Sequence, residues 1–243
     1  MTTFCSRAIA ILMIGIAVSL VGPPALAESI QVYHTDFSTD TPGQVPAGWT
    51  VMDNYGTWEV DENDQLILSG VDDEEDSLIV CNAAGVLADY TVSAKLAFGL
   101  DTETEARAAL VGRLQDADSY YMLRLRNTRR FELMWMSSGS PSYGTLGYLS
   151  VSSGDWALDD WITMSMTFDG SQITGELRNA DNEVISTLVR EDTRYTSGKA
   201  GLRIDTTNFA CSEFTVTAPI PEPGTVALLF SALAGLLMVR CKP

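Results

Sequence analysis

The chain has 243 residues, enough for one domain or two small ones, and carries 32 acidic against 15 basic residues, a net charge of −17. So acidic a surface repels phosphate backbones and makes nucleic acid a poor partner, while it suits solubility outside the cell or the presence of calcium. The N-terminus has one positive charge at Arg7, an apolar run over residues 8–21 and the small-residue stretch Ala25-Leu26-Ala27 before Glu28. This three-part layout predicts a secretory signal peptide over residues 1–27, cleaved after Ala27. At the far end, Pro221-Glu222-Pro223-Gly224-Thr225 leads into an uncharged run and then Arg240 and Lys242. Setting aside Arg7, Arg240, Lys242 and Glu222 leaves 12 basic and 31 acidic residues in the middle, a net of −19.

That middle, residues 28–218, reads as strands almost throughout. Strands are expected over residues 30–37, around Trp58 and Val60, around Leu66 and Leu68, and over 77–82, 90–98 and 106–114. The acids of residues 71–76 read as a solvated loop. Tyr121, Leu123 and Leu125 then alternate with Met122, Arg124 and Arg126; after a turn at 127–129, Phe131, Leu133 and Trp135 alternate with Glu132, Met134 and Met136. Residues 137–160 read as Gly/Ser-rich loops. Residues 161–168 alternate apolar and polar without a break, Asp169-Gly170 marks a turn, and 172–178 resumes the pattern. Residues 183–189, 199–204 and 211–217 complete the set. Nothing in the middle shows a 3.6-residue stripe, so many short strands with frequent turns indicate a single all-β jelly-roll sandwich.

Four cysteines are present, of which Cys5 and Cys241 lie in the terminal segments. Cys81 and Cys211 are left in the middle, and in an oxidising compartment they are expected to form a disulfide. The competing reading is two separate buried thiols. Neither has a second Cys or His nearby, so no zinc pattern exists. His34 is the one histidine, without a nucleophile and orienting partner to make it a catalytic base.

Residues 225–239 are 15 uncharged residues. As a helix they span about 22 Å, short of the roughly 30 Å hydrocarbon core, with Arg240 and Lys242 holding the end on the cytoplasmic side. The Pro-Glu-Pro motif at Pro221, Glu222 and Pro223, the short apolar helix and the basic end together resemble the PEP-CTERM sorting signal of exosortase systems in Gram-negative bacteria. The resemblance covers residues 219–243. It implies an exosortase-type sorting protease as a partner, the membrane as a station before processing, and a final location in the cell envelope, on the surface or in the extracellular matrix. The basic end is shorter than the family's usual arginine run.

The middle resembles a concanavalin A-like (laminin G-like) jelly roll. The likeness rests on Asp36-Phe37, Gly48-Trp49, Trp58-Glu59-Val60, residues 120–125, residues 168–175, residues 197–202 and Phe214-Thr215-Val216. That fold hosts lectins, hydrolases and adhesion modules alike. The resemblance implies a structural calcium near the paired terminal strands, where Asp36 and Glu213 are the nearest acids; Ca²⁺ wants six to eight oxygens, so carbonyls must contribute. It also raises the question of catalysis at Glu59-Val60-Asp61-Glu62-Asn63-Asp64. Glycoside hydrolases on this fold set carboxylates two apart on one strand. Here Trp58 and Val60 are expected to face the core, which turns Glu59 to solvent, and no catalytic residue is assigned. Sugar binding is the better expectation. Tyr143, Tyr148 and Trp156 are the aromatic candidates in the loops, and Arg124 and Arg126 share a strand face, with Arg113 on a neighbour, suited to acidic polysaccharide. The chain thus reads as an exported protein that binds polysaccharide or serves structurally, with a glycosidase-like enzyme as the alternative.

Overall fold

The computed structural model describes residues 28–53, 55–70, 76–98, 106–157, 160–205 and 209–220. The expectations placed on residues 1–27 and 221–243 lie outside these. Fifteen strands run in chain order among the described residues: β1 (Ser29–Thr35), β2 (Trp49–Asp53), β3 (Thr57–Val60), β4 (Leu66–Ser69), β5 (Asp76–Cys81), β6 (Tyr90–Phe98), β7 (Arg107–Asp116), β8 (Ser119–Arg126), β9 (Arg130–Met136), β10 (Tyr143–Ser150), β11 (Ile162–Asp169), β12 (Gln172–Arg178), β13 (Val184–Glu191), β14 (Lys199–Asp205) and β15 (Phe209–Pro219). They form two antiparallel sheets. The first has the order β13-β12-β11-β6-β15-β4-β3, with β1 also paired to β15; the second is β10-β9-β8-β7-β14-β5-β2.

In the first sheet the alternation seen in the sequence translates directly into burial. Ile162, Met164, Met166 and Phe168 of β11 point inward with Val92, Ala94 and Leu96 of β6, and the Ser and Thr residues between them face out. Their inward partners from the second sheet include Leu110, Tyr121, Leu123, Leu125, Phe131 and Leu133. Two glycines let the layers approach. A Cβ on Gly112 of β7 would lie 2.4 Å from the Phe168 ring, and one on Gly175 of β12 would lie 2.4 Å from Leu123. Burial of this interlayer surface is the main stabilising term of such a sandwich.

The second sheet is different. On its side away from the first sheet, Leu78, Val80, Ala109, Val111, Leu114, Tyr120, Met122 and Met134 form a second buried apolar cluster. Its central strands β7, β8 and β9 are therefore buried on both faces. At one side of the sandwich the edge strands β10 and β13 meet. Arg190 of β13 donates from Nε to the Leu146 carbonyl of β10 at 2.9 Å, in a space that Gly147 leaves open, since a Cβ there would lie 2.4 Å from that guanidinium.

The expected disulfide is corrected by this topology. Cys81 and Cys211 are both free and buried. Cys81 sits in β5 of the second sheet, between Trp49 and Ala200; Cys211 sits in β15 of the first, between Leu66 and Leu96. Both lie in the interlayer core, on strands of different sheets, and neither is bonded to the other.

Candidate functional site

A cleft of about 460 Å³ lies on the outer face of the second sheet, within the usual size of ligand sites. Antiparallel register places its lining residues and their neighbours on this face in rows across the strands. One row runs Ala109, Arg124, Glu132, Tyr148 across β7, β8, β9 and β10. The next, two residues along, runs Val111, Met122, Met134, Thr145, and the next Tyr120, Met136, Tyr143. On the opposite flank, Arg107 faces Arg126 and Arg130 faces Ser150. Rows are about 6.7 Å apart, so the cleft passes from an arginine end to a methionine–tyrosine end.

The arginine end is organised by Glu132, whose side chain is 1% exposed. Arg124 donates to Glu132 Oε2 from Nε at 3.0 Å and from Nη2 at 2.7 Å, and Arg126 Nε donates to the same oxygen at 2.9 Å. Arg130 Nε stands 2.5 Å from Oε1 as an ion pair. Burial alone would raise the Glu132 carboxyl, but the hydrogen bonds and charges of Arg124 and Arg126 outweigh it and hold the group below its ordinary 4.5. Burial likewise pushes the Arg124 guanidinium down, aided by the Arg126 and Arg107 charges and opposed by Glu132. Arg107 and Arg203 complete the wall of the cleft and have partners of their own, Arg203 lying over the Tyr120 ring.

Tyr143 and Tyr148 are the exposed aromatics of this face, at 60% and 56%. They stand on β10, a strand not expected from the sequence. Gly144 and Gly147 make that stretch look like a loop, yet both are dictated by the packing beneath. A Cβ on Gly144 would lie 2.6 Å from the Trp135 ring, as one on Gly147 would clash with Arg190. Tyr148 covers the Arg130 guanidinium, with 4.1 Å from its carbon to the ring centroid.

The structure thus brings together Arg124, Arg126, Tyr143 and Tyr148, and separates two other candidates from them. Trp156 is 2% exposed, packed against Phe98 with Arg129 over its ring, and belongs to the core. Arg113 leaves the strand face at a backbone φ of 46° and is buried, where it donates to the carbonyls of Ala88, Tyr195 and Gly170. Sequence reasoning missed Glu132 and Arg130 as parts of the site. The available signal was the outward set of β9, where Glu132 sits between Arg130 and Met134 rather than among Ser and Thr.

Asp36 and Glu213 come to the same end of the β1–β15 pair. The Asp36 carboxylate accepts from Ser38 N and Oγ at 3.1 and 2.6 Å, which holds it below the ordinary carboxylate value, and Glu213 lies 3.9 Å from His34. No group of three or more His, Cys, Asp or Glu able to hold a metal occurs among the described residues. Glu59 sits between the buried Trp58 and Val60 and so points outward, as expected, while Asp61 accepts from the backbone of Asn63 and Gln65 to build the following turn.

No protein-family model matches the chain, and no curated protein does. Solved structures do. The carbohydrate-binding module CBM66 from Bacillus subtilis is 16% identical with a TM-score of 0.51, covering 70% of this chain and 91% of that one. The exoplasmic/lumenal domain of VIP36, in a Ca²⁺- and mannose-bound form, is 11% identical with a TM-score of 0.58, covering 80% and 93%. A Bacillus subtilis protein of unknown function with a galectin-like fold is 17% identical with a TM-score of 0.55, covering 78% and 97%. The fold is therefore the lectin-like, concanavalin A-like β-sandwich.

Proposed function

We propose that the chain is an exported carbohydrate-binding protein whose sugar site is the cleft on the outer face of the second sheet. The observation that carries this reading is a cleft lined by a preorganised arginine cluster and exposed Tyr143, with exposed Tyr148 beside it against Arg130. Aromatic rings offer a sugar its apolar face, and guanidinium forks offer its oxygens fixed donors. Sugar-binding proteins among the fold neighbours support the same reading. Glu132 argues against the glycosidase alternative. A glycosidase acid needs a raised pKa, whereas Glu132 is held low, its Oε2 hydrogen-bonded by Arg124 and Arg126 and its Oε1 in an ion pair with Arg130. The test is a glycan array with the mature chain, with and without calcium, beside the double variant Tyr143→Ala/Tyr148→Ala. Specific binding lost in the variant supports the site; binding unchanged in the variant refutes it.

Export through residues 1–27 and sorting through residues 219–243 belong to the same proposal. Pro221-Glu222-Pro223 would be read by an exosortase-type protease while residues 225–239 sit in the membrane. Replacing the three motif residues by alanine should change the size or fraction of the mature protein; unchanged size and location would refute the sorting role.

A further inference from the structure

We infer that the cleft selects sugars bearing a carboxylate, that is, hexuronate-containing polysaccharide. This rests on the sugar-binding reading and specifies its ligand. The argument begins with Glu132. Its buried carboxylate demonstrates, within the fold, how this surface holds a planar two-oxygen anion: gripped by Arg124 Nε and Nη2 on one oxygen together with Arg126, and approached by Arg130 on the other. Three guanidiniums, each carrying one charge, surround a single buried carboxylate in a chain whose total is −17. One guanidinium is also within reach of an incoming group: Arg130 lines the cleft and is 41% exposed, with its Nε beside Glu132. The Tyr148 ring lies 4.1 Å from the carbon of that guanidinium, a cation–π contact that favours one placement of the group. A planar guanidinium fork matches a carboxylate with two parallel N–H···O bonds, a match that a tetrahedral sulfate ester makes less well. Glu132 is accordingly a positioning residue: it holds three mutually repelling arginines in one orientation before any ligand arrives. The apolar part of the sugar chain would then extend toward Met136 and Tyr143, two rows from Glu132.

The test uses polygalacturonate, alginate and hyaluronate, each against its methyl-esterified form, which keeps the sugar and removes the charge. Dextran sulfate serves as the sulfate arm. At least one uronate is expected to bind about tenfold more tightly than its ester, with a Kd that rises with salt. Arg130→Ala should abolish that preference and Arg130→Lys restore only part of it, while Arg178→Ala, on the first sheet, should leave it intact. Circular dichroism checks that each variant is folded. Equal binding of acid and ester overturns the inference and leaves the sugar-binding reading standing. Tighter binding of dextran sulfate than of every uronate overturns it in favour of sulfate esters, as does a preference retained in Arg130→Ala. Binding to no uronate, with a neutral glycan bound on the array, overturns the inference alone; binding to nothing sinks both.

Discussion

The outer faces of the two sheets are built on opposite rules. The first sheet turns Thr91, Ser93 and Lys95, then Thr163, Ser165 and Thr167, to the outside, and its ladder is stitched by contacts such as Thr91 Oγ1 to Thr167 Oγ1 at 2.8 Å. The second sheet turns Ala109, Val111, Tyr120, Met122 and Met134 outward and buries them, then ends in the arginine group around Glu132. A solvated face needs nothing but hydrogen-bonding side chains with good strand propensity. Large apolar side chains and a buried charge network are not needed for a solvated face. The proposed site lies on the sheet that departs from simple alternation.

That comparison can be broken by matched substitutions. The largest effect is expected at Glu132→Ala, which leaves three guanidiniums without their counter-charge and should cost about 3–5 kcal/mol by urea denaturation. The matched change on the first sheet, Glu176→Ala, removes a partner from Arg178 at a partly exposed 2.5 Å ion pair and should cost less than about 1 kcal/mol. Equal costs would erase the distinction between the faces. Met134→Ala should cost about 2–4 kcal/mol as a buried truncation, against at most about 0.5 kcal/mol for Ser165→Ala opposite it in the architecture. Gly144→Ala drives a methyl into Trp135, for about 1–3 kcal/mol, and should also displace Tyr143 and weaken sugar binding; a neutral result would mean that β10 is less tightly seated than described.

Acid sharpens the comparison further, with a smaller effect. The folded pKa of Glu132 lies below its unfolded value, so its contribution is complete above the ordinary 4.5 and is lost as pH falls through the lowered folded value. Stability of the natural chain should therefore drop more steeply below pH 4.5 than that of Glu132→Gln, which has no carboxyl there to protonate. Parallel acid profiles in denaturant titrations would show that the arginine grip contributes nothing to folding.

How much of this was legible in the sequence follows from the same contrast. The alternation at residues 161–168 gave β11 and its inward set correctly because one side of that strand meets water and the other the core. The inward residues of β8 and β9 were legible although both faces of these strands are buried, because Arg124, Arg126 and Glu132 mark the other face as polar in the sequence. Strand β10 was not, because its glycines answer to Trp135 and Arg190, partners distant in sequence. Trp156 read as a loop aromatic because local composition does not reveal that Phe98 and Arg129 enclose it. The arginine pair Arg124 and Arg126 was legible as a shared face, but Arg113 was not separable from it without knowing its left-handed backbone. The two cysteines were legible as interior residues and not as unpaired, since which sheet a strand joins is a long-range fact.

Those two thiols have a consequence for how the sandwich can be watched coming apart. Burial pushes the Cys81 thiol up to about 11 and the Cys211 thiol further still, so at neutral pH neither supplies the thiolate that alkylating reagents require. Each is sealed in the interlayer, one per sheet. Alkylation at either position therefore has to wait for that part of the interior to open, and peptide mapping of the labelled sites turns the pair into two clocks. If they run at one rate, the layers separate in a single cooperative event; if Cys81 runs ahead of Cys211, the sheet that carries the cleft loosens while the other stays closed.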